Sequence, residues 1–168
     1  DLTGVNLTGK TFWRADLTGW NLAGANLAGA TLVGSTLTNA TLTNANLTNA
    51  NLTGANLSSA NLMNADLTGT FLSVATLTGA NLSGADFAGA DLRYTNFSSA
   101  DLTGASLTGA SLTGVNFSGA DLTGVDLEGM DLTGVNFTGV DFTGIDLTGW
   151  NFTGADLTDV VGMVTDSG

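Results

Sequence analysis

The chain has no cysteine, no histidine and no proline among its 168 residues. Without cysteine there is no disulfide, no thiolate chemistry and none of the common zinc sites, and the redox compartment is left undetermined. Without histidine, the only candidate general bases are carboxylates. Basic residues are almost absent as well: Lys10, Arg14 and Arg93 stand against fifteen acidic residues, for a formal net charge of −12. That balance excludes a nucleic-acid-binding surface of the usual basic kind. Long apolar runs are missing too, because Gly or a polar residue interrupts every stretch well short of the ~20 residues a membrane helix needs. No signal peptide is evident. The chain opens at Asp1 without a Met and already in repeat register, as expected of a processed chain or an excised piece. Little Lys and Arg, with abundant Thr, Asn, Gly and Ala, points to a secreted or surface protein.

What is there is a period of five. Cut into fives from Asp1, the chain gives thirty-two consecutive pentads ending at Val160, with Leu at the second position of twenty-five and Phe at that of seven. A helical period of 3.6 or a strand period of 2 cannot sustain that spacing. Position one is mostly Asn, Asp or Thr, position three mostly Thr or Ser, and position five commonly Ala, while position four is Gly or Asn in twenty-six pentads. Gly and Asn tolerate the positive φ of a type II turn, so the chain is expected to bend after every short strand. The central Leu or Phe and the small residue three places before it are expected to point inward, and the polar residues outward.

Segments such as Ala25-Asn26-Leu27-Ala28-Gly29 and Ala120-Asp121-Leu122-Thr123-Gly124 resemble the A(D/N)LXX tandem units of the pentapeptide-repeat family. The resemblance covers residues 1–160 and implies an all-β fold, a right-handed quadrilateral β-helix with four pentads per coil. Eight coils at a rise of roughly 4.8 Å would make a rod about 38 Å long. Residues 161–168 would form a C-terminal tail and a possible end cap.

With twenty residues per coil, departures from the consensus sort by side. Phe97, Phe117 and Phe137 fall in one inward column between Leu77 and Leu157. The three pentads that most break the polar-outside pattern, 11–15, 71–75 and 91–95, share the third side. Their outward residues are Trp13, Arg14, Phe71, Val74, Arg93 and Tyr94, with Val33 on the same side. Exposed aromatics beside Arg have the composition of a contact patch. Acid is uneven along the chain: residues 1–84 carry a net charge of −1 and residues 85–168 one of −11. Asp101, Asp121 and Asp141 form a column on the first side, and Asp66, Asp86, Asp126 and Asp146 one on the second. Stacked carboxylates repel, and so call for solvent screening, a raised pKa, a bound cation or a basic partner. A dedicated Ca²⁺ site is not expected, because no loop gathers the roughly six to eight oxygens it takes. At the ends, Lys10 and Trp20 occupy a position-five column that is small elsewhere, which suggests that they fold over the opening. Met130, Ile145, Trp150 and Val160 enlarge the same column type, and Val161, Met163 and Val164 could cover the last coil. Caps on a monomer and apolar ends that stack head to tail are both consistent with these residues.

Residues 4–11 match the phosphate-binding pattern G-x-x-x-x-G-K-[ST] letter for letter, but Gly4 and Gly9 are repeat-column residues and the strand-to-helix context is missing. Asn-x-Ser/Thr acceptors at Asn6, Asn46, Asn51, Asn56 and Asn81 are by-products of the repeat. With carboxylates on flat outer sides and no cleft, neither catalysis nor a cofactor is expected. The leading expectation is a non-enzymatic structural or interaction protein, such as a subunit of an extracellular fibre or surface assembly, that meets itself or another protein through its ends and its aromatic side. The family resemblance implies an alternative, since some members mimic DNA in shape and charge and bind type II topoisomerases such as gyrase. A third, ice-type binding through Thr pairs such as Thr36/Thr38, is weakened by the Asn56/Ser58 and Asn96/Ser98 rungs that interrupt the array.

Overall fold

The computed structural model describes residues 1–163. Every pentad closes on the same turn. The position-five N–H donates to the position-two carbonyl of its own pentad, as Ala45 does to Leu42 at 3.0 Å. The position-four residue between them has a positive φ in every pentad from Gly4 to Asp159, ranging from 51° at Arg14 to 77° at Gly154. A hydrogen-bonded four-residue turn with only its third residue left-handed has the form of type II, which is why Gly and Asn dominate that position.

Four such turns bring the chain back over itself. Asn21 pairs with Thr41, Asn26 with Asn46, Thr31 with Asn51 and Thr36 with Asn56, all in parallel and all twenty residues apart. Between coils the ladder is built from position-two and position-four N–H groups donating onward and the position-one N–H donating back. Leu22 N bonds Thr41 O at 2.7 Å, Gly24 N bonds Thr43 O at 2.8 Å, and Thr41 N bonds Trp20 O at 2.9 Å. The chain is a β-solenoid of parallel coils. We number its sides from the pentads that begin at residues 1, 6, 11 and 16 of the first coil.

The interior holds the Leu/Phe column and position five. Leu27, Leu32 and Leu37 are fully buried, as are Ala25 and Ala30. This corrects one expectation. The small inward residue lies two places before the central Leu, as Ala25 before Leu27, while the residue three places before it, Gly24, is exposed in the turn. The alternation of a short strand gives the reason, since side chains two apart share a face. Where position five is a hydroxyl residue, the buried oxygen donates to a carbonyl: Ser35 to Leu32 at 2.7 Å, Thr70 to Leu67 at 2.7 Å and Thr95 to Leu72 at 2.8 Å. Phe97, Phe117 and Phe137 stack at centroid distances of 5.5 and 5.8 Å, with interplanar angles of 15° and 18°. Such contacts add about 0.5–1.5 kcal/mol per pair to the burial itself.

The later coils carry larger interior side chains and are less tightly laddered. From Val115 onward, Val125, Met130, Val135, Val140, Ile145 and Trp150 replace the Ala of position five. Among the described residues, the N–H groups of Leu122, Leu127 and Leu132 make no bond to the next coil. Side 4 stays paired throughout, with Phe117 N to Asn136 O and Phe137 N to Asp156 O both at 2.8 Å. The gap coincides with the enlarged position-five side chains, and side 4 runs across it unbroken.

At the first coil, Asp1, Leu2, Gly19, Trp20 and Asn21 line an opening of about 530 Å³. Trp20 is exposed at its rim; Lys10 is exposed too but does not line the opening. At the other end Trp150 is buried, its ring 6.1 Å from Phe142 and 5.8 Å from Phe152. Ile145 and Met163 are half-buried against the core, and Val161, exposed, pairs with Asp141. Val164 and the rest of the tail, to which a capping role was assigned from sequence, lie outside the described residues.

Candidate functional site on the third side

The outer sides are mostly self-satisfied. At position one an Asn or Asp carboxamide or carboxylate oxygen accepts the backbone N–H, and often the hydroxyl, of the residue two places on: Asn46 Oδ1 takes Thr48 N at 2.9 Å and Thr48 Oγ1 at 2.5 Å. This Asx turn explains the pairing of Asn or Asp with Thr or Ser that generates the apparent glycosylation acceptors.

The third side departs from this plan. Trp13, Phe71, Val74 and Tyr94 are the most exposed large side chains along it, Val74 at 58% and Tyr94 at 63%. Three of the unusual residues also occupy position four, where the backbone is left-handed: φ is 51° at Arg14, 55° at Val74 and 59° at Tyr94. A β-branched or bulky side chain in that region costs about 1–3 kcal/mol. No burial offsets this at Val74, whose side chain points to solvent. Tyr94 instead lies along the surface, where a Cβ on Gly114, one coil on, would come within 2.6 Å of its Cδ1 and Cε1.

The patch has its own polar frame. Arg93 forks onto Asp91, Nε to Oδ1 at 2.8 Å and Nη2 to Oδ2 at 2.7 Å, and Ser73 Oγ on the neighbouring coil donates to Asp91 Oδ2 at 2.8 Å. The Arg93 hydrogen bonds, with help from Ser73, hold the Asp91 carboxyl down to about 2 despite partial burial. In the first coil the Arg14 guanidinium sits 4.6 Å from the centre of the Trp13 ring. The six residues therefore form two groups on one side, Trp13 and Arg14 in the first coil and the other four in adjacent coils, with Val33 and Thr53 in the two coils between. The irregular pentads were visible in the sequence; that Arg14, Val74 and Tyr94 are held in a glycine conformation was not drawn from it, although the repeat column carries that signal.

Four members of the acidic columns depart from the raised pKa that was one sequence expectation. Asp66 and Asp86 pair across coils, as do Asp101 and Asp121. Asp141 and Asp146 are held below the usual carboxylate range by the hydroxyl and then the backbone N–H of Thr143 and Thr148. Asp121 is lowered chiefly by the backbone N–H of Thr123, against a small opposing effect of Asp141. Burial pushes Asp66 up, but the combined hydrogen bonds from Thr68 and Thr48 leave it lowered. Asx-turn donors outweigh carboxylate repulsion at these positions. Between the seventh and eighth coils the ladder gap leaves two shallow clefts, about 280 Å³ beside Asp121 and Asp141 and about 400 Å³ beside Asp126, Glu128 and Asp146. Among the described residues, no group of three or more acidic side chains is arranged to hold a metal ion. Residues 4–11 form ordinary repeat turns, and no helix follows them among the described residues.

Comparison with known proteins agrees with this geometry. The family model described as pentapeptide repeats matches in eight copies between residues 1 and 161. No curated protein matches the sequence. Among solved structures, HetL, a pentapeptide repeat protein involved in heterocyst differentiation regulation in the cyanobacterium Nostoc, is 29% identical, with 95% of this chain and 81% of that one covered at a TM-score of 0.59. QnrB1, a plasmid-mediated fluoroquinolone resistance protein, is 28% identical over 95% of this chain and 83% of its own, at a TM-score of 0.36. A pentapeptide repeat protein of the Arabidopsis thaliana thylakoid lumen is 29% identical over 79% of this chain and 68% of its own, at a TM-score of 0.34.

Proposed function

The chain belongs to the pentapeptide-repeat family, and on that footing we propose that it is a non-enzymatic interaction protein whose partner meets the third side of a right-handed quadrilateral β-helix. The observation that carries this reading is the coincidence, on one side, of three bulky side chains at left-handed positions with the most exposed aromatics. Strain without compensating burial is retained where a surface has a use. The apolar residues of the end coils provide a second means of assembly, of the kind a fibre or surface layer uses. A photo-crosslinking residue at position 94, compared with one at position 64 on the first side, tests the reading in an extract of the producing cells. Protein adducts from position 94 and few from position 64 are expected; equal or absent labelling would overturn it.

The net charge of −11 on residues 85–168 favours a second reading, an acidic surface that imitates DNA toward a type II topoisomerase. A gyrase supercoiling assay decides it: no inhibition or protection at micromolar protein removes it.

A further inference from the structure

We infer that the partner of the third side is a second copy of this chain, packed side to side with its solenoid axis reversed about a two-fold axis between the fourth and fifth coils. The inference rests on the third-side reading above and adds the identity of the partner. Phe71 and Val74 lie in the fourth coil and Arg93 and Tyr94 in the fifth, so the patch spans two adjacent coils. A two-fold axis along the strand direction between these two coils sets the third sides of two copies face to face with their solenoid axes reversed. It sets Val74 of one copy against Tyr94 of the other, an aliphatic side chain on an aromatic ring. It also sets Phe71 against the Arg93–Asp91 pair, whose guanidinium is already held flat by its fork. Each pairing occurs twice, and no residue meets its own copy.

Charge selects the reversed direction. The third side carries Arg14 in the first coil, the Asp91–Arg93 ion pair in the fifth and Asp131 in the seventh; packed in the same direction Arg14 would face Arg14 and Asp131 would face Asp131, whereas reversal brings Arg14 of one copy to within one coil of Asp131 of the other. A side about 38 Å long and roughly 13 Å wide gives about 500 Å² per copy, about 1,000 Å² in all, which is the size of a weak, reversible pairing rather than of a permanent dimer.

Sedimentation and native mass measurements on the full chain, from low to high micromolar concentration, test the pairing. A dimer mass is expected, weakened by at least about tenfold in the variant Val74→Gly, Tyr94→Gly. That variant restores the commonest residue at each turn and so keeps the fold. Arg14→Glu is expected to weaken the dimer more at low salt than at high salt. A wild-type chain that stays monomeric throughout, or a dimer indifferent to both variants, overturns the inference. Monomers whose position 94 still crosslinks to another protein would remove the self-pairing alone, whereas a dimer that crosslinks through position 64 and not 94 would remove the third-side reading as well.

Discussion

Val74 occupies a turn site that would suit Gly or Asn better, and it does so with its side chain in water. Relieving a left-handed β-branched residue recovers about 1–3 kcal/mol. Val74→Asn is therefore expected to stabilise the isolated chain by about 1 kcal/mol, raising Tm by roughly 2–4 °C in calorimetry. An unchanged or lower Tm would show that Val74 carries a stabilising contact. Asp91 offers a second residue-scale test. Its folded pKa is depressed to about 2, so the stability it contributes is present above its unfolded value of about 3.9 and is lost as pH falls through about 2. NMR titration of the carboxyl carbon should give a midpoint near 2 in the wild type, moving up toward the ordinary range in Arg93→Ala. At this scale the sequence marked Trp13, Phe71, Val74 and Tyr94 as irregular because the surrounding column is so uniform. It did not reveal the Arg93 fork onto Asp91 or the reach of Tyr94 over Gly114, because a rotamer choice depends on neighbours one coil away.

The element here is the pentad, and its period carried most of the fold. Leu or Phe at every second position and Gly or Asn at most fourth positions made the turn and the inward column legible before any coordinates. The partner of the central Leu was misplaced by one residue because the five-residue period fixes which positions recur, whereas strand alternation fixes which of them point inward. The ladder gap in the later coils was less legible still. Enlarged position-five residues from Val115 onward were visible, but their effect on coil spacing depends on how the interior shares its volume. The unpaired N–H groups of Leu122, Leu127 and Leu132 should exchange with deuterium markedly faster than those of Leu42, Leu47 and Leu52, which donate to the next coil at 2.6–2.7 Å. Replacing Val125, Met130 and Ile145 together with Ala tests the cause: protection at Leu122 and Leu127 should rise. Unchanged exchange there would leave interior crowding without support.

On the scale of the whole molecule, the fold converts a linear code into flat sides with fixed addresses, and interaction then depends on which residues stack. The uneven charge along the chain and the adjacency of the two aromatic-bearing coils have meaning only through that stacking. Its most direct test is a pair of spin-label distances along side 1, one between positions 43 and 123 and one between positions 3 and 143. With twenty residues per coil these pairs are four and seven coils apart, so the distances should centre near roughly 19 and 34 Å, a difference of about three rises. Distances that fail to grow in proportion to the number of twenty-residue steps would contradict the coil register and the side assignments built on it.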